Sequence, residues 1–301
     1  MRALVTGASG FLGGVVCAQL LARGDEVVAL VRREGSAPGG TRAVLGDLGV
    51  ENSLRAALAD VAPDVVFHLA AEIASQRSEA RIDEVNIAGT QRLVAACLAL
   101  DPPPRLVFTS TVVTGEADGA LLTEDVPLNV ETPYGRSKQE GERIVLDSGL
   151  PAVVIRPSHV YGPGGWYAEE MVARLRAPGR FAVVGRGANQ WDVVHVEDVA
   201  AACLLAADSD AALGEVFHCA DDSPITYYDF MALTARALGV GAPRRIPLRV
   251  ARLAAGRHTV AAVARSARSS NAKLKRVLGW APLYPSAREG VPAAVSGLPE
   301  V

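Results

Sequence analysis

The stretch Leu4-Val5-Thr6-Gly7-Ala8-Ser9-Gly10-Phe11-Leu12-Gly13 decides the fold of this 301-residue chain. An apolar segment ends at Thr6, and three evenly spaced glycines follow it. Gly7 and Gly10 permit a tight turn, and Gly13 lets a following helix lie close to the strand. Because a helix N-terminus attracts anions, the stretch predicts a cradle for a dinucleotide diphosphate; a strand, turn and helix without a ligand is the alternative. The predicted cofactor contacts in this stretch are Gly7, Ser9, Gly10, Phe11 and Leu12.

Composition limits the classes of protein that the chain can represent. Half of the residues are apolar, which excludes disorder as the main theme and is enough for one large domain or two lobes. The chain enters its first strand without a leader-like segment, and no apolar run reaches membrane-spanning length. We therefore expect a cytoplasmic protein with neither a membrane nor a nucleic-acid partner. The four cysteines lack metal or disulfide spacing, so we expect buried apolar side chains and no metal site.

Strand and helix patterns alternate along the first half of the chain. Apolar strands are predicted at 26–31, 42–45, 65–69 and 105–108, and helical patterns separate them, one of them from about Asp83 to Leu100. Such alternation is typical of an α/β fold with a doubly wound parallel sheet of the Rossmann type, whose ligands bind at the carboxyl ends of the strands. Asp47 and Leu48 are predicted at one such end, facing the adenine, and Leu69, Ala70 and Ala71 at another. We interpret the neighbouring His68 as structural.

The residues that leave the second strand, Val31-Arg32-Arg33, indicate which dinucleotide is preferred. An acidic residue here would bind the ribose 2′-hydroxyl of NAD, whereas arginine suits the 2′-phosphate of NADP. Val31 offers no acceptor, and two guanidinium groups follow it. We expect Arg32 and Arg33 to favour NADP(H), with NAD(H) as the alternative if they only solvate the loop.

Tyr134 and Lys138 form a candidate catalytic pair. Pro133 opens a predicted helix, and four-residue spacing places both side chains on one helical face. A lysine ammonium next to a phenol favours the tyrosinate, so we expect the pKa of Tyr134 to move toward neutrality. A Ser or Thr hydroxyl after the fifth strand would hold the same carbonyl oxygen.

These residues resemble the extended short-chain dehydrogenases/reductases over nearly the whole chain. The similar motifs are Thr6-Gly7-x-x-Gly10-x-x-Gly13, Asp47-Leu48, His68-x-Ala70-Ala71, Asn86 with Gly89-Thr90, Phe108-Thr109-Ser110-Thr111, Tyr134-x-x-x-Lys138, Arg156-Pro157, Val160-Tyr161-Gly162-Pro163, Asp192 to Ala200, Asn271-Ala272-Lys273 and Leu278-Gly279-Trp280-x-Pro282. The resemblance implies that Thr111 supplies the hydroxyl, with Ser110 as its competitor. It also implies that Tyr134 is the acid, Lys138 the ribose-binding lysine and Asn86 a supporting helix residue. Thr109, Tyr134, Lys138 and Pro157 join the expected cofactor contacts.

Two departures from the family pattern narrow the expected reaction. Val112-Val113 stand where sugar dehydratases resemble one another in an acidic pair, and Gln190-Trp191 precede Asp192 where epimerases typically carry an arginine. We therefore expect an NADPH-dependent reductase of a ketone or aldehyde, such as a keto-sugar or another secondary metabolite. A nucleotide-sugar epimerase is the alternative. The intact Thr111, Tyr134 and Lys138 argue against a cofactor-sensing protein without turnover.

The rest of the chain is expected to form a smaller C-terminal α/β lobe that binds the substrate and interleaves with the first. The predicted boundaries are 1–157 and 190–212 for the dinucleotide lobe, and 158–189 and 213–301 for the substrate lobe. A small-molecule carbonyl or alcohol is the expected partner, with a homodimer left open. The candidate substrate contacts are Thr111, His159, Trp166, Tyr167 and Trp191, with ordinary lobe core as the alternative for the aromatic ones.

A basic segment follows Asp229. No acidic residue occurs between Asp229 and Glu289, whereas twelve lysines and arginines do: Arg236, Arg244, Arg245, Arg249, Arg252, Arg257, Arg265, Arg268, Lys273, Lys275, Arg276 and Arg288. We favour a solvated helix with arginines on its exposed face. The alternative is attraction of an anionic substrate.

Overall fold

A parallel sheet of seven strands forms the centre of the molecule. The computed structural model describes residues 1–73, 76, 78–113, 119–127, 130, 132–177, 181–247, 249–250 and 266–299. The strands of the sheet are β1 (Arg2–Thr6), β2 (Glu26–Val31), β3 (Arg42–Leu45), β4 (Val65–His68), β5 (Arg105–Thr109), β7 (Ala152–Pro157) and β11 (Val216–Cys219). Their order across the sheet is β11-β7-β5-β4-β1-β2-β3, which confirms the predicted doubly wound α/β fold.

Helices connect these strands and extend into the second lobe. Within the described ranges they are α1 (Phe11–Arg23), α2 (Glu51–Val61), α3 (Glu79–Ile82), α4 (Gly89–Leu98), α5 (Pro133–Leu146), α6 (Ala173–Arg176), α7 (Val196–Asp208), α8 (Tyr227–Ala237), α9 (Ala272–Leu278) and α10 (Ala287–Ser296). The helix predicted from Asp83 begins earlier, at Glu79, and passes through a π-helical turn at Asp83–Ala88. Ser78 caps its start by accepting a hydrogen bond from the Arg81 N–H.

Alternate residues of the central strands enter two separate cores. In β1, Ala3 and Val5 face a core shared with α1 and α7, whereas Leu4 faces a core shared with α2, α4 and α5. Helices therefore cover both faces of the sheet, as its continuous apolar strands require. The four cysteines are free and buried, as the composition predicted.

The predicted lobe boundary at residue 213 is wrong. Val216–Cys219 does not belong to a separate substrate lobe but pairs in parallel with β7, with Val216 opposite Val154 and Cys219 opposite Pro157. Phe217 and Cys219 are completely buried in the core beneath α7. Because β11 pairs with β7 on the side opposite β5, β7 is not an open edge of the sheet. The chain thus leaves the first lobe later than the sequence indicated, after Cys219.

The second lobe contains short strand pairs and an aromatic core. Its parallel pairs are β8 (His159–Tyr161) with β10 (Val193–His195), β9 (Ala182–Val184) with β12 (Arg244–Ile246), and β6 (Leu121–Leu122) with β13 (Arg268–Ser269). Tyr161, Tyr167 and Phe230 form the centre of its core. Helix α7 packs on α1, and Gln19 donates a hydrogen bond to the Glu197 carbonyl.

Asp198 attaches the C-terminal segment to the first lobe. Its carboxylate accepts hydrogen bonds from the N–H groups of Leu283 and Tyr284, and its carbonyl accepts one from the Trp280 indole. The buried Asp221 lies close enough for Asp198 to act on it, and burial, followed by that negative charge, raises the pKa of Asp221 to about 8. Asp221 is therefore mainly protonated at neutral pH, which removes the repulsion between two buried carboxylates.

The basic segment is not one solvated helix. Among its described residues, Arg244 and Arg245 lie in β12 and Lys273 in α9. Lys273 forms an ion pair with Glu215, and Lys275 with Asp222, so acids from another part of the chain neutralise part of the charge. Arg252, Arg257 and Arg265 lie outside the described residues. The described helices include none that is both long and apolar enough to cross a membrane.

Candidate active site

The glycine-rich turn has the geometry that a diphosphate cradle requires. Gly7 has φ +69°, and a Cβ atom there would lie 2.8 Å from the Ala70 nitrogen. A Cβ atom at Gly13 would lie 2.1 Å from the Gly7 carbonyl oxygen, so α1 can pack this closely only with glycine. The N-terminus of α1 has no side-chain cap and no acidic residue in its first turn. Its N–H groups and the exposed Ser9 and Gly10 therefore fit an anionic diphosphate.

A buried hydrogen-bond chain runs from this turn toward helix α5. The Thr6 hydroxyl accepts from the N–H groups of Leu69 and Ala70, so its own proton points to Nδ1 of His68 at 2.8 Å. His68 then donates from Nε2 to the Thr90 hydroxyl at 2.9 Å, and Thr90 donates to the Asn86 carbonyl. Burial lowers the pKa of His68 to about 3, with a smaller contribution from Lys138. His68 thus remains neutral, and the structure agrees with a structural role.

Asn86 connects this hydrogen-bond chain to helix α5. Its side chain accepts from the Glu72 N–H and donates to the Glu72 carbonyl and to the Ser137 hydroxyl at 2.9 Å. Ser137 in turn donates to the carbonyl of Tyr134. Asn86 belongs to the π-helical turn, and such turns are frequent at functional sites. The predicted supporting residue therefore contacts α5 through Ser137.

Tyr134 and Lys138 lie one helical turn apart in α5, but their electrostatics differ from the prediction. Burial raises the pKa of Tyr134 to about 12, opposite to the predicted lowering, because desolvation disfavours the charged tyrosinate. Burial also lowers the pKa of Lys138 to about 8. The Lys138 ammonium lies over the Phe108 ring, 4.6 Å from its centroid. The phenol therefore keeps its proton at neutral pH.

Glu142, which the sequence analysis did not single out, forms an ion pair with Arg156, which appeared there only within the Arg156-Pro157 motif. Glu142 lies one turn after Lys138, and its negative charge raises the pKa of the ammonium against the effect of burial. Both guanidinium bonds from Arg156 to Glu142 are short, at 2.8 and 2.6 Å. The four-residue spacing from Lys138 to Glu142 was the available signal. This largely buried ion pair holds a carboxylate on the face of α5 that carries Lys138.

Two hydroxyl groups follow β5 at the predicted position. Thr111 donates weakly to the Pro157 carbonyl at 3.4 Å and accepts from the Val113 N–H at 3.1 Å. The Ser110 hydroxyl is buried and has no hydrogen-bond partner within the described ranges. Thr109 faces elsewhere, since its hydroxyl lies 3.9 Å from the Cys203 sulfur. Both Ser110 and Thr111 therefore remain candidates for the carbonyl-binding hydroxyl.

The edge of the sheet near β2 has the predicted exposed cations. Val31 is buried, whereas Arg32 and Arg33 are exposed, and neither guanidinium forms an ion pair in the part of the chain that the structure describes. Asp47 accepts a hydrogen bond from the Gly49 N–H, so it shapes the turn before α2. Leu48 is buried next to Gly89. A role of Asp47 and Leu48 at the adenine stays a prediction.

The predicted aromatic contacts divide into two groups. His159, Trp166 and Trp191 are half-buried and adjacent: the rings of His159 and Trp191 stack with centroids 3.7 Å apart. The assignment of Tyr167 to the substrate pocket is wrong, because it is completely buried and its hydroxyl donates to Thr234. Packing against Phe230 fixes it in the lobe core.

The sequence matches the model of the NAD dependent epimerase/dehydratase family over residues 3–220. It is 32% identical over 97% of its length to a 3-diazoavenalumate denitrifying reductase of Streptomyces sp., covering 99% of that protein. It is also 32% identical to a 2-alkyl-3-oxoalkanoate reductase of Stenotrophomonas maltophilia, over 81% of this chain and 77% of that protein. The structure resembles UDP-glucose 4-epimerase of Thermus thermophilus in complex with NAD, with a TM-score of 0.82, 27% identity and coverage of 99% and 98% of the two chains.

Proposed function

Because the chain belongs to the NAD dependent epimerase/dehydratase family, we propose that it is an NADPH-dependent reductase of a ketone or aldehyde. The observation that carries this proposal is the position of Tyr134 on α5 as a protonated phenol, beside Lys138 and connected to Asn86 through Ser137. A phenol that keeps its proton suits a donor to a forming alkoxide. The proposed direction is therefore reduction.

The proposed cofactor site uses the glycine cradle for the diphosphate and the exposed arginines for a 2′-phosphate. Lys138 would bind the nicotinamide ribose, and Thr109, Pro157, Leu69, Ala70 and Ala71 lie at or just beyond strand ends near this site. When bound, the reduced nicotinamide would supply the hydride that the carbonyl carbon accepts. Tyr134 Oη gives its proton to the carbonyl oxygen, so the C=O group becomes CH–OH and the phenol is later reprotonated from solvent.

Two relatives and two features of the sequence support reduction. The names of the Streptomyces and Stenotrophomonas relatives describe reductases. Val112 and Val113 occupy the positions where an acidic pair would serve dehydration, and Val112 is buried. Trp191 stacks on His159 at the position before Asp192 where a cation would serve a sugar diphosphate. A net reduction consumes its cofactor once per turnover, which fits exchangeable NADPH.

A nucleotide-sugar epimerase is the second candidate, favoured by the likeness to the Thermus epimerase. Oxidation of NADPH, followed at 340 nm across aliphatic ketones, aryl ketones, aldehydes, 3-oxoacids and UDP-sugars, distinguishes the two. We expect stoichiometric NADPH oxidation with at least one carbonyl class. Interconversion of UDP-sugars without net NADPH oxidation would instead establish the epimerase.

We expect Thr111→Val to lower kcat by about a hundredfold or more, because a positioned hydroxyl contributes this much by hydrogen bonding in the transition state. Valine keeps the shape of threonine, and the matched variant Ser110→Ala removes the neighbouring hydroxyl. Steady-state kinetics of both variants on the best carbonyl substrate provide the comparison. If Ser110→Ala is the more damaging change, Ser110 holds the carbonyl and the assignment to Thr111 is off by one residue.

A further inference from the structure

Four aromatic rings from separate segments of the second lobe form one half-exposed surface, which we call the aromatic wall: His159, Trp166, Trp191 and Tyr227. The His159 and Trp191 rings are nearly parallel, with an interplanar angle of 20°. Tyr227 lies 4.7 Å from Trp191 between ring centroids, and Trp166 lies edge-on to His159 at 6.3 Å. Their partial exposure distinguishes them from the buried tyrosines of the lobe core.

The wall begins next to the candidate carbonyl-binding hydroxyls. His159 follows Pro157 by two residues, and the Pro157 carbonyl accepts from the Val112 N–H at 3.1 Å and from the Thr111 hydroxyl at 3.4 Å. The His159 ring is fixed by donation from Nδ1 to the Asp192 carbonyl at 2.8 Å. A molecule with its carbonyl at Thr111 therefore has the wall within reach of its remaining atoms.

Trp191 carries an unpaired donor in this wall. Its indole Nε1 is buried and has no hydrogen-bond partner among the residues that the structure describes. Buried polar groups are usually paired, because an unmade hydrogen bond costs free energy. The Trp191 N–H donates to the Ile225 carbonyl and the indole ring stacks on His159, so both positions are fixed. Nε1 can therefore donate to an acceptor from outside the described residues.

We propose that the aromatic wall selects a planar aryl carbonyl compound, which stacks on the wall while an oxygen accepts from Trp191 Nε1. This inference rests on the proposed reductase function. Offset or edge-to-face contacts between rings add affinity beyond the area that they bury. The charge of Arg174 affects the pKa of the Tyr227 phenol. The Arg174 guanidinium also forms an ion pair with Glu170 at 3.7 Å. A surface of this chemistry favours an uncharged ring over a sugar diphosphate.

A pair of ketones matched in size tests the proposal by binding alone. Dissociation constants of acetophenone and cyclohexyl methyl ketone are measured by ligand-observed NMR on the full chain with saturating NADP⁺. We expect acetophenone to bind about three- to tenfold more tightly, the usual contribution of one aromatic pair. Trp191→Leu should bring this ratio close to one. Trp191→Phe keeps a ring but no donor, so it should keep the ratio for these single-oxygen ketones and should weaken only a ketone with a second oxygen, such as 4-hydroxyacetophenone.

Tyr228→Leu is the matched control, because Tyr228 belongs to α8 like Tyr227 but is not part of the aromatic wall. Its ring instead contacts the Arg245 guanidinium. It should leave the ratio unchanged. Equal affinities in the wild type, no binding of either ketone, or a ratio that persists in Trp191→Leu would overturn the proposal. Aryl preference in binding without NADPH oxidation by any carbonyl would refute the reductase and leave the wall's assignment intact. Reduction of ketones without aryl preference would refute only the wall's assignment.

Discussion

Tyr134→Phe should lower kcat by about 10²- to 10⁴-fold, the usual contribution of a positioned general acid. Phenylalanine retains the ring that packs in the first turn of α5 and removes only the hydroxyl. The Ser137 bond to residue 134 uses the main-chain carbonyl, so the substitution leaves the connection to Asn86 intact. Cofactor affinity should therefore change little, and the loss should appear in kcat rather than in cofactor binding.

Steady-state NADPH oxidation together with a fluorescence titration of NADPH measures both quantities. Tyr228→Phe is the matched control, since it removes a phenol from the second lobe and should keep full activity. Tyr134 has no part in proton transfer if its variant retains more than about a tenth of the wild-type kcat. Loss of cofactor binding in parallel with kcat would instead assign Tyr134 to the cofactor site alone.

The elements that position this site were accessible from sequence because each has a local signal. The glycines of the first turn, the apolar strands and the Tyr134–Lys138 spacing all act within a few residues along the chain. The predicted lowering of the Tyr134 pKa was wrong because four-residue spacing identifies a neighbour but does not reveal burial, and burial raises this pKa. The sequence likewise shows no sign that Lys138 lies over Phe108.

Features that depend on contacts between distant segments were missed. Val216–Cys219 is a short strand, and only its pairing with β7 identifies it as part of the central sheet. Tyr167 and Trp166 are adjacent in sequence, yet Tyr167 is buried in the lobe core and Trp166 is half-exposed. Periodicity predicts that a helix has two faces but does not specify which face another element covers.

Removing Arg32 and Arg33 should have a large effect on the choice between NADPH and NADH. Arg32→Ala/Arg33→Ala should weaken NADPH binding by about tenfold to a hundredfold for each guanidinium–phosphate bond removed, since a charge-assisted bond contributes about 1.5–3 kcal/mol. NADH binding should change little, because NADH has no 2′-phosphate. Both arginines are exposed directly after the buried Val31, and in the described part of the molecule no carboxylate pairs with them. Their charge is therefore available to a ligand.

Titration of wild type and the double variant with NADPH and NADH measures this selectivity. Arg42→Ala/Arg55→Ala is the charge-matched control: it also removes two exposed arginines, but these pair with Asp60 and Glu51. If only the loss of positive charge matters, NADPH binding should weaken equally in both double variants. If Arg32 and Arg33 contact the phosphate directly, NADPH binding should weaken only in the Arg32/Arg33 variant. Val31→Asp should act in the same direction, because its carboxylate repels the phosphate and accepts from the ribose 2′-hydroxyl of NADH. Equal wild-type affinities for the two cofactors, unchanged in the Arg32/Arg33 variant, would reduce these arginines to solvated loop residues and leave NAD as the cofactor.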